Sequence, residues 1–392
     1  MLELALKGSR SYWIWMGTLM AVMAVGGWFY LDQLEHGLMV TGQSRDVSWG
    51  FYTAQMTFLV GVAAGGVMLV LPYYLHDYKT FGKITILGEF LAVASIIMCL
   101  SYVLIHLGQP MRVLNLYLYP TPSSMLFWDA NVLSAYLVLN IIIGWKVLEA
   151  ERNATTPPVW IKPLIYISIP MAFSIHTMTA FIYCGLPGRG FWLTAILAPR
   201  FLASAFASGP ALLILLCLVI RSVTFFDPGK KAIQSLAVIA TYGLVANLFF
   251  MICEVFVVFY SNIPSHKAHF IYLYAGLYGK AGLVPWMWTS VVLMVTAACL
   301  LLIPGFRKNE TILGFACVAL FAGTWIDKGM GMISGGFVPS PLHHVTEYSP
   351  SMHELIISAG VTALGLFILT LLYKIVLSVK LYNHPGNRTL NT

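Results

Sequence analysis

The chain contains ten separate runs of about 20 mostly apolar residues, each long enough to cross the hydrocarbon core of a bilayer as a helix. Of its 392 residues 59% are hydrophobic and only 9% are charged, whereas a soluble domain carries about 25% charged residues. The runs are continuous, unlike the alternating ~10-residue strands of a membrane β-barrel. The sequence therefore predicts an all-α integral membrane protein with ten transmembrane helices, at 12–31, 52–75, 84–106, 126–148, 162–185, 200–222, 234–260, 283–304, 310–328 and 354–379.

Basic residues are distributed unevenly between the runs, and this predicts how the chain crosses the membrane. Of the 22 Lys and Arg residues, 15 fall on the side that holds the N-terminus and 7 on the other. Basic residues concentrate in cytoplasmic connections, so we expect both termini to be cytoplasmic at the inner membrane. The same bias explains the net charge of +7 without a nucleic-acid partner. The outer side holds the long connections and is predicted to be the working or docking face: 32–51, 107–125, 186–199, 261–282 and 329–353.

A weak internal repeat divides the chain. The second run contains AAGGVMLVL (63–71) and the sixth contains ASGPALLIL (207–215). Small residues let membrane helices approach closely, although small-residue patches are also common in membrane helices without any repeat. We interpret residues 1–392 as a single polytopic membrane domain with two related four-helix bundles, at 52–185 and 200–328, flanked by the first and tenth helices.

The sequence has no motif for a metal centre or a haem. None of the six cysteines forms a C-x-x-C pair, and nearly all lie inside apolar runs, where cysteine behaves as a small hydrophobic residue. A membrane haem needs axial ligands on facing helices, and only His176 lies deep in a run. We therefore expect no haem, iron–sulfur cluster or zinc within this chain.

Polar residues gather at the outer ends of the second to fifth runs. His176 lies about nine residues from the outer end of the fifth run, or ~13 Å deep at 1.5 Å per residue. Asp129 and Gln55 lie about one turn inside the fourth and second runs, Gln55 follows Tyr52, and His106 closes the third. A histidine and a carboxylate at this depth can bind the oxygens of a quinone and exchange protons. The alternative is that these side chains bond backbone carbonyls or one another at helix ends.

Two further carboxylates are candidates for a proton path. Glu89 lies one to two turns inside the inner end of the third run, and Glu254 lies about two turns from the outer end of the seventh. Intramembrane carboxylates often belong to proton relays. The alternatives are that Glu89 pairs with a lysine such as Lys83 or Lys162, and that Glu254 is a structural pin.

Charged residues around the last connection are interpreted as interfacial. Two of them end the ninth run, two begin the tenth, and two lie in the loop between. We expect these residues to lie at the membrane surface under a docked partner: Asp327, Lys328, His343, His344, His353 and Glu354.

Several blocks resemble the NrfD/PsrC family of quinone-interacting membrane subunits. The blocks are IPMAFSIHTMTAF (169–181), PGRGFW (187–192), APRFLASAFASG (198–209) and FVPSP…EYSPSMHE (337–354). A family motif after the third helix, commonly D-L-G-R-P, reads HLGQP (106–110) here, so no role is carried over for its acidic position. The segments WGFYTAQMTFLVGVA (49–63) and LPYYLHDYKTFGKITILGEFLAVA (71–94) are similar to the DsrP group of ten-helix subunits.

The resemblance implies a function. It implies a cofactor-free subunit that binds menaquinol or menaquinone near the outer face and exchanges electrons with a periplasmic ferredoxin-like iron–sulfur subunit of the DsrO type. It also implies a larger complex of dissimilatory sulfur metabolism, with a multihaem cytochrome c, a haem b membrane subunit and a cytoplasmic iron–sulfur subunit. Quinone contacts in relatives lie at the outer ends of the first bundle, a region that here holds Tyr52, Gln55, His106, Asp129 and His176.

Two other functional classes fit the same residues. A secondary transporter or ion channel would use paired bundles and buried carboxylates, but most polar candidates gather at the outer face and not at a midplane site between the bundles. A passive membrane anchor for a redox partner would tolerate changes at His176 and Asp129 without loss of electron transfer.

Overall fold

The computed structural model describes residues 1–382, and within them ten helices are long and apolar enough to cross a membrane. The prediction of ten transmembrane helices is confirmed, and Arg388, one of the basic residues used for orientation, lies outside the described range. The helices are α1 (Arg10–His36), α2 (Phe51–Leu75), α3 (Thr85–His106), α4 (Met125–Arg152), α5 (Ile161–Cys184), α6 (Leu197–Val223), α7 (Lys230–Ser261), α8 (Val284–Leu302), α9 (Glu310–Phe337) and α10 (Met352–Tyr382).

The longer connections lie together at one end of the helices, called here the loop face. They are 37–50, 107–124, 185–196, 262–283 and 338–351. Arg200 and Lys328, which the sequence placed among the outer connections, lie inside α6 and α9. The connections of the loop face hold five basic residues: Arg45, Arg112, Arg189, Lys267 and Lys280. That the loop face is extracytoplasmic stays a prediction.

Helix α9 continues beyond its predicted end. The helix runs through a π-helical turn, Ile326–Gly331, and ends at Phe337. Asp327 and Lys328 lie in this turn and are only 3% and 4% exposed. Their interpretation as interfacial residues is wrong, because both side chains are buried inside the protein and contact partners on other helices: Arg200 for Asp327 and His176 for Lys328. Single π-helical turns of this kind frequently occur at functional sites.

The two small-residue patches pack directly on each other. A Cβ atom added to Gly65 of α2 would lie 2.6 Å from the Cα of Gly209 of α6, and the reverse addition gives the same distance. Small residues allow this close approach of two helix backbones in a membrane. Helix α2 also packs against α3 and α5, and α6 packs against α7 and α9. The close contact of the patches agrees with two bundles that meet at this crossing, and the division at 52–185 and 200–328 stays a prediction.

Helices α1 and α10 form a pair at the edge of the bundle, with α10 also packed on α3. A Cβ atom added to Gly26 of α1 would lie 2.7 Å from the Cα of Gly360 of α10. At the loop-face end of the pair, His353 Nε2 lies 2.8 Å from the Asp32 carboxylate. His353 therefore joins two helices at the loop face, where its side chain is 31% exposed, and its position beneath a docked partner stays a prediction.

We expect Gly26→Val to lower the thermal stability of the purified chain, because the new side chain would push α1 away from α10. Overpacking of a tight contact costs about 1–3 kcal/mol. The midpoint of thermal unfolding in detergent measures the effect. Gly27→Val is the matched control, since nothing lies within 4 Å of its added Cβ. Equal midpoints for the two variants would contradict the close packing.

Glu354 closes the start of α10 with a capping box. Its backbone N–H donates to Ser351 Oγ (3.2 Å), and its Oε2 accepts from the Ser351 N–H (2.9 Å), as in other capping boxes. Oε2 also accepts from the Gly42 N–H at 2.7 Å. Glu354 is fully buried, so its interpretation as an interfacial residue is wrong, whereas His343 and His344 are exposed in the last connection.

Tyr348 extends this network to α2. Its hydroxyl donates to Glu354 Oε1 and accepts from the Phe51 N–H, each at 2.7 Å. Burial and the neighbouring Glu354 carboxylate raise the pKa of Tyr348 above its ordinary value, so the hydroxyl stays a donor. Glu354 and Tyr348 thus fix the starts of α2 and α10 to the α1–α2 connection.

Candidate functional site

The five predicted quinol-site residues all lie in the loop-face half of their helices, but they do not meet in one pocket. Tyr52 is fully buried. Its hydroxyl donates to Gln33 Oε1 at 2.7 Å, and Gln33 Nε2 donates to the Ile105 carbonyl at 2.7 Å. Tyr52 therefore belongs to a contact between α1, α2 and the end of α3.

Gln55 and His106 point to two other neighbours. Gln55 Oε1 accepts from Trp325 Nε1 of α9 at 3.0 Å. His106 is partly buried, and its Nδ1 lies 3.5 Å from Gln43 Nε2 in the α1–α2 connection. Both residues contact side chains of other segments, neither a backbone carbonyl nor another of the predicted residues, and their roles as quinol contacts stay predictions.

Asp129 and His176 are joined instead by a column of buried polar residues on α5. His176, Thr179 and Tyr183 follow the spacing i, i+3 and i+7, which places them on one side of a helix. Tyr183 shares a short hydrogen bond with Thr57 of α2. The column and its direct partners on α2, α4 and α9 are called here the polar seam: Thr57, Asp129, His176, Thr179, Tyr183 and Lys328.

Asp129 is placed to hold a proton. The Thr179 hydroxyl lies 2.7 Å from Asp129 Oδ1 and 2.8 Å from the Ile175 carbonyl oxygen. A hydroxyl has a single proton to donate. Both contacts are full hydrogen bonds when the Asp129 carboxyl is protonated and donates to Thr179, which in turn donates to Ile175. Asp129 is buried, so the seam can store a proton there without exposing a charge to the apolar interior.

His176 is fully buried where α5, α6 and α9 meet. Its Nε2 lies 2.7 Å from the Phe201 carbonyl oxygen of α6 and 2.5 Å from Lys328 Nζ of α9. Its Nδ1 is buried and has no hydrogen-bond partner among the described residues. One ring nitrogen is therefore doubly engaged, and the other is free for a further partner.

A second charged cluster lies on α6, α7 and α9, next to the seam. Arg200 forms a short ion pair with Glu254 and binds both carboxylate oxygens of Asp327 at 2.7 Å. All three side chains are buried. The Arg200 Nη2 group makes both contacts with Asp327, and hydrogen bonds between charged groups of this kind are stronger than those between neutral groups. Glu254, a predicted proton-path residue, is therefore ion-paired, as the alternative of a structural pin expects.

A small cavity separates this cluster from Lys328. It has a volume of about 10 Å³ and is lined by Ser204, Asn247, Asp327 and Lys328 among others. Asn247 Oδ1 is buried without a hydrogen-bond partner in the described part of the chain. This volume is close to the room that one buried water molecule needs, and the lining offers the polar partners that such a water requires.

Glu89 lies apart from the seam, near the end of α3 that is remote from the loop face. It is buried, and its Oε2 has no hydrogen-bond partner within residues 1–382. The alternative pairing with Lys83 or Lys162 does not occur among the ion pairs of the described residues. No hydrogen bond of these residues links Glu89 to Asp129 or His176, and its role in proton transfer stays a prediction.

An open apolar cavity lies at the loop-face ends of α5 and α6. It has a volume of about 310 Å³ and is lined by Phe181, Cys184, Leu193, Thr194, Ala195 and Ala198. Its size is at the lower end of the range for small-molecule pockets. Phe181 and Cys184 lie in the last two turns of α5, the helix that carries Tyr183 at the loop-face end of the polar seam.

A packed aromatic cluster closes the seam toward the loop face. Trp192 is fully buried, and its Nε1 donates to the Met332 carbonyl at 3.0 Å. Its ring lies 5.8 Å from Trp49, 5.2 Å from Tyr183 and 5.1 Å from Phe337, measured between centroids. These rings exclude water from the end of the seam.

Sequence reasoning missed Lys328, Arg200, Thr179 and Tyr183 as parts of the site. The helical spacing of His176, Thr179 and Tyr183 was a usable signal for a polar face. For Lys328, the signal was the apolar stretch that continues beyond it to Phe337. No group of three or more His, Cys, Asp or Glu side chains placed to hold a metal ion occurs in the part of the chain that the structure describes.

Comparison with known proteins gives related chains of similar length. A Halobacterium salinarum protein named as a membrane subunit of dimethyl sulfoxide reductase is 25% identical, over 91% of this chain and 88% of its own. A selenate reductase subunit of Mesobacillus selenatarsenatis is 23% identical, over 92% and 93%. The Hdr-like menaquinol oxidoreductase integral membrane subunit of Archaeoglobus fulgidus is 26% identical, over 59% and 56%.

The family comparison covers the helices that carry the polar seam. The model of the family described as "Polysulphide reductase, NrfD" matches residues 39–338. This range contains α2 to α9, with Asp129, His176 and Lys328, and it accounts for more than half of the chain. The chain therefore belongs to the NrfD family of polysulphide reductase membrane subunits.

Proposed function

We propose that this chain is the quinol-binding membrane subunit of a multi-subunit oxidoreductase, with the loop face toward the outside of the inner membrane. Membership of the NrfD family supports the proposal, as does the similarity to a menaquinol oxidoreductase subunit. The observation that carries it is the placement of Asp129 and His176. His176 is buried on α5, about one to two helical turns below the cavity residues Phe181 and Cys184, and Asp129 of α4 is buried against Thr179 of the same α5 column.

The apolar cavity fits a quinol, but Asp129 and His176 do not line it. The apolar cavity at the ends of α5 and α6 has the size and lining for a ring or part of a prenyl tail. Asp129 and His176 are not exposed to it, because Tyr183 and the aromatic cluster intervene. In this proposal the cavity holds the ligand at the membrane boundary, and the seam takes up the protons. Menaquinol supplies two electrons and two protons when it is oxidised.

The finer features of the proposal rest on the sequence blocks similar to the DsrP group. The electrons would be exchanged with a docked periplasmic ferredoxin-like iron–sulfur subunit of the DsrO type. The complex would serve dissimilatory sulfur metabolism, including sulfite reduction, together with a multihaem cytochrome c, a haem b membrane subunit and a cytoplasmic iron–sulfur subunit. The unpartnered Glu89 carboxylate at the opposite end of α3 is the proposed inner entry of a proton path.

Two substitutions test the proposed function. We expect His176→Gln and Asp129→Asn, made in the assembled complex, to lower quinol-dependent reduction of the partner by about 10²–10⁴-fold, the usual contribution of a positioned acid or base. Turnover with a soluble menaquinol analogue and assembly on native gels provide the two measurements. Thr177→Val is the matched control, because Thr177 lies beside His176 on α5 and bonds only the Phe173 carbonyl. Wild-type turnover in an assembled His176→Gln complex would refute the proposal and favour a passive anchor.

One observation favours a second candidate function, an ion or proton channel or a secondary transporter. The contact between His176 and Lys328, with the adjacent Arg200–Asp327 pair, places charged groups between α2–α5 and α6–α9, where the sequence had placed none. Transporters commonly bind substrate at such an interface between repeats. Solute or proton uptake by the chain alone in liposomes would support this candidate, and quinone recovered with the purified protein would support the first.

A further inference from the structure

Two basic side chains touch in the apolar interior of this protein. Lys328 Nζ lies 2.5 Å from His176 Nε2, and both residues are fully or almost fully buried. The Phe201 ring adds a cation–π contact, with its centroid 4.4 Å from Nζ. Two positive charges at this separation repel strongly where the dielectric constant is low. The pair therefore holds one positive charge at most.

When the pair holds one positive charge, the hydrogen bonds at His176 Nε2 allow two arrangements of that charge. A carbonyl oxygen only accepts, so the contact with Phe201 at 2.7 Å requires a proton on Nε2. An ammonium group only donates, so its contact with Nε2 requires a lone pair there. In one arrangement Lys328 is an ammonium and the imidazole is neutral. In the other the imidazole is protonated and Lys328 is a neutral amine. Transfer of one proton from Nζ to Nε2 interconverts them and leaves the total charge unchanged.

A proton can enter the pair at His176 Nδ1 and leave it at Lys328 Nζ. In either arrangement Nδ1 of His176 carries a hydrogen, and this atom has no partner among the described residues. On the other side, Lys328 lines the cavity of about 10 Å³ that also contacts Asp327, Ser204 and Asn247. A cavity of this size and polarity accommodates about one water molecule. Lys328 therefore lies between the histidine of α5 and the charged cluster of α6, α7 and α9.

The absence of a side chain at Gly61 leaves room for the His176–Lys328 pair. A Cβ atom added to Gly61 of α2 would lie 2.9 Å from Lys328 Nζ and 3.4 Å from His176 Cε1. Besides His176, the titratable and charged groups around Lys328 are Asp327 on its own helix, Arg200 on α6 and Cys99 on α3. Asp327 is already bound by Arg200. None of these neighbours replaces His176 as the direct partner of Nζ.

We propose that His176 and Lys328 form a proton-exchange pair that connects α5 to the charged cluster of α6, α7 and α9. In the uncharged pair Nε2 carries the ring hydrogen and Nδ1 has a free lone pair. A proton binds at Nδ1, the Nε2 proton passes to Nζ, and the Lys328 ammonium then releases a proton toward the cavity. The neutral imidazole then changes tautomer and restores Nε2–H. The proposal goes beyond the proposed function, because it holds for any ligand that supplies the proton. It assigns to Lys328 and Gly61 roles that no motif in the sequence indicates.

Nitrogen NMR of the full-length chain with ¹⁵N-labelled histidine tests the proposal without any quinol. The chain has ten histidines, and the signals missing in His176→Gln belong to His176. We expect the wild-type Nε2 signal to lie between the positions of a protonated and an unprotonated imidazole nitrogen, as fast exchange requires. In Lys328→Met the signal is expected at the protonated position, because Nε2–H then serves the Phe201 carbonyl alone.

Gly61→Ala weakens the contact between Lys328 Nζ and His176 Nε2 while both residues stay in place. The added methyl group displaces Nζ, and we expect the His176 Nε2 signal to move toward the Lys328→Met position, even if Lys328→Met itself fails to fold. Lys146→Met is the control, since this lysine pairs with Glu149 at the helix surface, and it should leave the signal unchanged. A wild-type signal at either extreme, protonated or unprotonated, would overturn the proposal. The NMR experiment needs no quinol. A normal NMR result with no quinol-dependent turnover would therefore count against the proposed function and leave the proton-exchange pair intact.

Discussion

Replacement of Arg200 by methionine is expected to be among the most destabilising single substitutions in this protein. Arg200 is the shared cation of Glu254 and Asp327, and all three side chains are buried. Arg200→Met leaves two carboxylates without a counter-charge in an apolar interior. Breaking a buried pair in this way costs about 3–5 kcal/mol. The midpoint of thermal unfolding of the purified chain in detergent, followed by circular dichroism, measures the loss.

The same helix supplies the matched control. Arg221, at the other end of α6, pairs with Glu310, but these side chains are 31% and 29% exposed. Pairs open to solvent contribute about 0–1 kcal/mol, so Arg221→Met should lower the midpoint only slightly. The triple variant Arg200→Met, Glu254→Gln, Asp327→Asn should recover part of the lost stability, because no charge is left unpaired. If Arg200→Met and Arg221→Met are equally stable, the cluster does not stabilise the fold.

Removal of the Glu354 carboxylate is expected to have an effect of similar size at the loop face. Glu354→Ala leaves three donors without their acceptor: the Tyr348 hydroxyl and the backbone N–H groups of Gly42 and Ser351. Each buried donor without a partner costs about 1–3 kcal/mol. We therefore expect poor accumulation of the variant in membranes and a lower unfolding midpoint in detergent. Both follow from a loosened start of α10.

Glu347→Ala is the control for this prediction. Glu347 also accepts a backbone N–H, that of Gly282 at 2.7 Å, but its side chain is 32% exposed. Water can replace it, so a small change is expected. Glu354→Gln should lie between wild type and Glu354→Ala, since an amide oxygen at the position of Oε2 still accepts from the Gly42 and Ser351 N–H groups. Equal stability of Glu354→Ala and Glu347→Ala would show that the buried network is not required.

Much of the fold follows from the sequence, because the requirement for about 20 apolar residues per span is a local property. All ten helices lie where hydropathy placed them. The end of α9 was misplaced, since Asp327 and Lys328 resemble a surface boundary when their partners are unknown. Arg200 was misplaced for the same reason. The compensating groups lie between 54 and 152 residues away in the chain, and no local pattern reveals such pairing.

The candidate site was predictable only in part. Asp129 and His176 stand out in the sequence, since each is an ionisable residue in an apolar run. Their connection through Thr179 depends on how α4 and α5 rotate against each other, which helix packing decides. Gln55 and His106 lie near the predicted end of the membrane but face Trp325 and Gln43. The sequence shows how deep a residue lies along its helix. It does not show which neighbouring segment the side chain of that residue faces.

The pairing of α1 with α10 has a consequence for biogenesis. Among the ten described spans, α1 emerges from the ribosome first and α10 emerges last. During all the intervening insertion steps, the Gly26 surface that later packs on Gly360 has only lipid or the insertion machinery beside it. The α1–α10 contact therefore completes the bundle only after every other span is in the membrane. A chain stopped before α10 would leave the Gly26 surface without its packing partner.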